Sequence, residues 1–97
     1  ALRKLDAEID LSRHLYTLDQ LPSPLTCEAL FGREAPWEVE MGSGKGLFIS
    51  SAAQARPEHN FLGIEIARKY AAHCAARLHR KNLTNAAMIA GDGLRLF

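Results

Sequence analysis

The chain has 97 residues, of which 47% are hydrophobic and 24% are charged, and its formal net charge is +1. This length allows one small domain or a part of a larger one, and the composition excludes a disordered chain. No apolar run approaches the ~20 residues that cross a bilayer, and the first fifteen residues mix charged and apolar side chains unlike a secretory signal, so we expect a cytoplasmic protein.

The cysteine and histidine positions argue against a metal site. Cys27 and Cys74 lie 47 residues apart and form no ligand pair, and the four histidines show no metal-binding spacing. We therefore expect two reduced, buried thiols and no bound metal.

Prolines and glycines divide the chain into short elements. Residues 1–27 carry no recognisable site, and we treat them as an N-terminal arm of unclear role in which a short strand remains an option. Thr26 is expected to cap a short helix that runs to about Phe31 and ends at Gly32. From there the hydrophobic pattern predicts a strand, a helix, a strand, a helix and a strand, at residues 37–41, 47–56, 60–66, 68–81 and 86–90.

This β-α-β-α-β order predicts an α/β fold with a parallel sheet and right-handed crossovers. Ligands of such sheets bind at the carboxyl ends of the strands. Acidic residues lie at all three predicted ends, namely Glu40, Glu65 and Asp92. Because acids are poor strand formers and costly to bury unpaired, their positions indicate a binding site.

Glycines 42, 44 and 46 follow the first of these strands. Such a turn lets the backbone bend sharply and lets a ligand approach the main chain; an ordinary tight turn is the alternative. Leu47 stands where a dinucleotide fingerprint places its third glycine, so a nicotinamide dehydrogenase fits poorly. Glu40 would repel a phosphate and attract a cation. S-adenosylmethionine, which carries a sulfonium and an ammonium group, fits this turn better.

The other two acids suit the remaining parts of that ligand. Glu65 follows Gly46 by nineteen residues, a distance at which an acid accepts hydrogen bonds from ribose hydroxyls; a surface acid in a loop is the alternative. Asp92 could accept from the adenine amino group while the Gly93 backbone borders the ring, although an Asx turn between glycines explains Gly-Asp-Gly equally well.

Longer segments of the sequence resemble those of a known family. Residues 30–36 (LFGREAP) lead into residues 38–46 (EVEMGSGKG), and residues 60–66 (NFLGIEI) and 82–85 (NLTN) follow. Residues 28–97 are in this respect similar to the bacterial tRNA (guanine-N7-)-methyltransferases, which are class I S-adenosylmethionine-dependent enzymes. The resemblance implies the N-terminal half of a Rossmann-like methyltransferase domain.

The resemblance also implies a site and a reaction. Glu40, Gly42, Gly44, Glu65 and Asp92 would bind S-adenosylmethionine, and the methyl group would pass to N7 of a guanine in the variable loop of tRNA. Guanine N7 carries a free lone pair, so the lack of a catalytic histidine, cysteine or serine arrangement is no objection. The residues that hold the guanine are expected beyond Phe97, because family members are about twice as long.

Several alternatives stay open. The same cofactor could serve a methyltransferase of small molecules or proteins, or the chain could be an inactive fragment. A sheet that ends with the strand at residues 86–90 would expose strand 37–41 as an apolar edge. We therefore expect a piece of a larger enzyme, a half that a C-terminal partner complements, or a homo-oligomer.

Overall fold

The computed structural model describes residues 10–42 and 47–93. Its elements in chain order are β1 (Leu15–Thr17), a 3-10 helix (Leu18–Gln20), α1 (Cys27–Phe31), β2 (Trp37–Met41), α2 (Leu47–Ala55), β3 (Asn60–Glu65), α3 (Arg68–Arg80) and β4 (Ala86–Ala90). None of the helices in these two ranges is long and apolar enough to cross a membrane.

The strands form one parallel sheet in the order β1-β4-β3-β2. The elements from β2 to β4 confirm the predicted β-α-β-α-β order, and each boundary lies within one residue of its predicted position. β1 adds a strand at the far side of β4, where Leu15 pairs with Met88. The described sheet is therefore one strand wider than the hydrophobic pattern predicted.

The alternation of side chains along the strands builds a core on each face of the sheet. One face packs against α2 and α3 through buried apolar residues that include Ile49, Ala53, Phe61, Cys74, Leu78 and Met88. The opposite face packs against α1 and the segment around the 3-10 helix through Leu30, Leu62, Ile64, Ala87 and Ile89. Cys27 and Cys74 are both buried and are not joined in a disulfide, as the sequence predicted.

Helix α1 begins and ends where the sequence predicted. The Thr26 hydroxyl oxygen accepts a hydrogen bond from the Ala29 amide at 3.0 Å, which satisfies one of the amides left open at a helix start. Gly32 ends the helix with φ +76°, and its amide donates to the Glu28 carbonyl. The short helix is therefore fixed at both ends by local hydrogen bonds.

A polar network fastens the segment after α1 to the amino end of β3. The Arg33 guanidinium donates to Asn60 Oδ1 at 3.0 Å and to the carbonyl of Pro57 at 2.6 Å. Asn60 is fully buried, and its amide nitrogen donates to the Cys27 sulfur. Asn85 adds a second bridge, since its amide donates to the Ala53 carbonyl at 3.0 Å. Arg33, Asn60 and Asn85 belong to the sequence segments that carry the family resemblance. Their role is structural, because they join the chain at the amino ends of the strands.

β2 lies at the outer edge of the described sheet, next to β3. Its side chains on the α1 face remain accessible: Trp37 is 36% exposed, Val39 42% and Met41 53%. A strand of this kind presents unpaired backbone groups together with apolar side chains. This agrees with the exposed apolar edge expected for residues 37–41.

Candidate functional site

The carboxyl ends of β2, β3 and β4 lie side by side. The Gly42 amide, just past β2, donates to the Ile64 carbonyl of β3 at 2.7 Å. The Gly91 amide, just past β4, donates to the Glu65 carbonyl at 3.0 Å. The parallel hydrogen bonding therefore continues to the end of each strand and brings the three predicted ends together.

Glu40 and Glu65 belong to the same face of the sheet. Glu40 pairs with Gly63 in the register of β2 with β3, and Glu65 lies two residues beyond Gly63. Because strand side chains alternate between faces, both carboxylates lie on the α2 and α3 side.

The thiol of Cys74 in α3 supports this placement. Desolvation by burial, with the negative charges of Glu65 and Glu40, raises the pKa of the Cys74 thiol to about 11 against an opposing effect of Arg77. Two carboxylates from neighbouring strands therefore face the same helix.

The orientation of the Glu65 carboxylate is fixed by the backbone. Glu65 is buried, and its Oε2 accepts a hydrogen bond from the Ala67 amide at 2.8 Å, immediately before α3. A carboxylate oxygen has two lone pairs, so this contact holds the group in place and leaves acceptor capacity for a ligand. The geometry suits an acid that must accept from hydroxyl groups.

Gly42 has a backbone conformation that glycine favours. Its φ is +67°, in the left-handed region where a side chain adds strain. A Cβ there would meet nothing within 4 Å, so the need for glycine comes from the turn itself and the space beside it is open. Gly44, the other predicted cofactor-binding glycine, lies outside the described residues, as does Gly46.

The loop after β4 returns across the ends of β3 and β2. Gly93 is buried, and a Cβ at this position would lie 2.7 Å from the Met41 sulfur and 3.1 Å from the Ile64 Cγ2. A larger residue at position 93 would therefore displace the end of the Met41 side chain and press on Ile64. Asp92 itself is partly buried and lies in the same loop, directly after the end of β4.

Ile66 is the residue that the sequence-based interpretation placed wrongly. The predicted strand 60–66 included it as a buried residue, but β3 ends at Glu65 and the Ile66 side chain is 72% exposed. The chain turns at this point toward α3, so the alternation of the strand no longer applies. An exposed apolar side chain directly after the buried acid offers a surface against which a flat ring can pack.

A family model described as "Putative methyltransferase" matches residues 34–97, which begin just before β2 and include the carboxyl ends of β2, β3 and β4. The chain belongs to this methyltransferase family. The match covers the predicted cofactor-binding residues, from Glu40 to Asp92.

Two curated relatives make the resemblance of this chain more specific. The tRNA (guanine-N(7)-)-methyltransferase of Rhodopirellula baltica is 54% identical over 97 residues, which are all of this chain and 36% of the relative. The enzyme of the same name from Salmonella choleraesuis is 38% identical over 74 residues, 76% of this chain and 31% of the relative. The chain spans about a third of the curated relatives that it matches. The expected ratio of about one half was therefore too large.

A solved structure supports the fold of this chain. A 30S ribosomal A1408 methyltransferase from an uncultured bacterium superposes with a TM-score of 0.60 and 25% sequence identity, over 70% of this chain and 35% of that protein. The parallel sheet with its crossover helices therefore has the Rossmann-like architecture of class I methyltransferases, as predicted.

Proposed function

We propose that this chain forms the S-adenosylmethionine-binding part of a tRNA (guanine-N7-)-methyltransferase that acts in the cytoplasm. The observation that carries the proposal is the placement of Glu40 and Glu65 on one face of adjoining strand ends, beside the open turn at Gly42. The names of the curated relatives support the substrate, since they are tRNA (guanine-N(7)-)-methyltransferases.

Each carboxylate contacts a different part of S-adenosylmethionine. Glu40 attracts the positive charge of the amino acid part, and Glu65, held by the Ala67 amide, accepts from the ribose hydroxyls. Asp92 accepts from the adenine amino group, and the exposed Ile66 side chain packs against the adenine ring. Gly42 and Gly44 let the ligand approach the main chain of the turn.

The reaction does not require a general acid or base from this chain. S-adenosylmethionine supplies a methyl group on a positively charged sulfur, and transfer to guanine N7 moves that charge to the base without release of a proton. N7 offers its lone pair directly, so the protein must hold acceptor and methyl group in line at near-contact distance. We infer that this chain fixes the donor side of that geometry, with a guanine of the tRNA variable loop on the other side.

Binding of the demethylated product, S-adenosylhomocysteine, tests the site directly. In the full-length protein, Glu65→Ala is expected to abolish the binding heat in calorimetry, because the buried acceptor for the ribose is lost. Glu58→Ala is the matched control, since Glu58 is an exposed acid at the amino end of β3. Equal affinity in wild type and Glu65→Ala would disprove the site.

A methylation assay tests the acceptor. Bulk tRNA, ribosomal RNA and small-molecule acceptors are offered with labelled methyl donor, and the product nucleoside is identified by mass spectrometry. We expect 7-methylguanosine in tRNA alone. Label in another acceptor, with none in tRNA, would retain the cofactor and replace the substrate.

A further inference from the structure

A cavity lies at the end of the sheet opposite to Glu40 and Glu65. It measures about 290 Å³ and is lined by residues just before and within β1, by α1, by the last turn of α3 and by the loop ahead of β4. A strand of five residues spans ~17 Å, so a small ligand at the carboxyl ends of the strands does not reach it. The cavity is a separate place for a ligand.

The wall of this cavity contains basic side chains. Arg13, His14 and His79 contribute to its wall, and none of its described lining residues is an aspartate or glutamate. Asp10 lies close enough to His79 for its negative charge to interact, but its side chain is exposed and accepts a hydrogen bond from the Ser12 amide. The cavity therefore favours an anionic group.

His14 adds a hydrogen-bond acceptor to the buried part of the wall. Its Nε2 lies 2.6 Å from the Leu83 carbonyl oxygen, and because a carbonyl only accepts, Nε2 carries the proton. Burial lowers the pKa of His14, and the charges of His79 and Arg13 lower it further, against the raising effect of the Leu83 hydrogen bond.

The ring is therefore neutral, and its Nδ1 is an acceptor. His14 is only 6% exposed, and Nδ1 has no hydrogen-bond partner within the part of the chain that the structure describes. Buried polar atoms are nearly always satisfied, whereas Nδ1 is an unsatisfied acceptor in a residue that lines the cavity.

Aromatic side chains complete the wall. Tyr16 of β1 and Phe31 of α1 both line the cavity and are only partly buried. Bases of single-stranded RNA stack on aromatic side chains in this way. An acidic peptide would pair with the basic side chains but carries no flat base that could stack on these two aromatic rings.

We propose that this cavity binds one nucleotide of the substrate tRNA, at a distance from the methylated guanine. The phosphate pairs with Arg13 and His79, a ribose hydroxyl or base N–H donates to His14 Nδ1, and the base packs against Tyr16 and Phe31. The proposal rests on the proposed function, because it takes tRNA as the ligand. The cavity would be a second contact site for the same RNA.

Direct tRNA binding without methyl donor tests the cavity in the full-length protein. Arg13→Gln combined with His79→Gln removes the phosphate partners, and we expect the dissociation constant, measured by filter binding, to rise about tenfold. The slope of log affinity against log salt should fall by about one for the lost phosphate contact. S-adenosylhomocysteine affinity is expected to stay at the wild-type value, which a general loss of folding would not allow.

Lys69→Gln is the matched control for charge. Lys69 is exposed in the first turn of α3, ten residues from His79 along the helix, or ~15 Å away at 1.5 Å per residue. Its replacement is expected to change tRNA affinity by no more than about twofold. Equal losses in Lys69→Gln and in the variant that combines Arg13→Gln with His79→Gln would show attraction to a broad basic surface and would overturn the proposal.

His14→Gln separates hydrogen bonding from charge. The glutamine amide can still donate to Leu83 but offers no acceptor at the Nδ1 position, so tRNA affinity should fall with an unchanged salt slope. If His14→Gln does not fold, the two surface variants still decide the question.

The outcomes also keep the two proposals apart. Variants that lose tRNA affinity in a protein that does not methylate guanine N7 would support the cavity and refute the proposed function. Full methylation by a protein whose cavity variants bind tRNA normally would support the proposed function and refute the cavity. No tRNA binding at all would refute both proposals.

Discussion

The Asn60 network makes a measurable prediction about how the fold is held together. Asn60→Ala removes the Oδ1 acceptor of Arg33 and the donor to the Cys27 sulfur at a fully buried position. A hydrogen bond to a charged group contributes about 1.5–3 kcal/mol, and truncation also leaves a small buried space. We therefore expect the free energy of unfolding to fall by about 2–4 kcal/mol.

A double-mutant cycle isolates the pair. Arg33→Ala, Asn60→Ala and the double variant are unfolded in urea, with the fluorescence of Trp37 as the probe, because Trp37 pairs with Asn60 in the sheet. Since both side chains share one hydrogen bond, the cycle should give a coupling energy of about 1–2 kcal/mol.

Ser51 is exposed on α2 and provides the control cycle. Arg33→Ala with Ser51→Ala should be additive within about 0.5 kcal/mol. The same additivity for Arg33 with Asn60 would refute the structural role that we assign to this contact.

Two further predictions concern titration. Because burial lowers the pKa of His14 from 6.5, its contribution to stability should be complete above pH 6.5 and be lost as the pH falls through the lower folded pKa; melting temperatures from about pH 8 to pH 5 should fall more steeply for wild type than for His14→Gln, and parallel curves would contradict this. Since the carboxylate of Glu65 helps to raise the pKa of the Cys74 thiol to about 11, Glu65→Gln should lower the midpoint of thiolate absorbance in an alkaline titration. An unchanged midpoint would mean that the charge of Glu65 has no electrostatic effect on the Cys74 thiol.

Most of the fold from residue 37 onward could be predicted because each element is long enough to show its pattern. β3 is buried throughout around a central apolar run, and α3 has thirteen residues with one buried side. Prolines and glycines mark the turns between them. β1 has three residues, fewer than any periodicity needs, and its pairing with β4 depends on a contact distant in sequence.

The candidate site was predictable for a related reason. In a parallel sheet the residues that end each strand meet at one edge, so Glu40 and Glu65 could be grouped without coordinates. Ile66 was placed wrongly because the strand pattern does not reveal where the backbone turns. The cavity of Arg13, Phe31 and His79 could not be found, because it joins three segments whose proximity follows only from packing.

The open edge of β2 has a consequence for how a second substrate could be delivered. A strand that pairs with this edge in parallel runs in the direction of β2. Its carboxyl end therefore lies next to Gly42 and Glu40. Main-chain pairing alone thereby brings the side chains at the end of that incoming strand to the rim of the proposed cofactor site. In the proposed enzyme, the choice of acceptor can then change with the added strand while the cofactor-binding part stays the same.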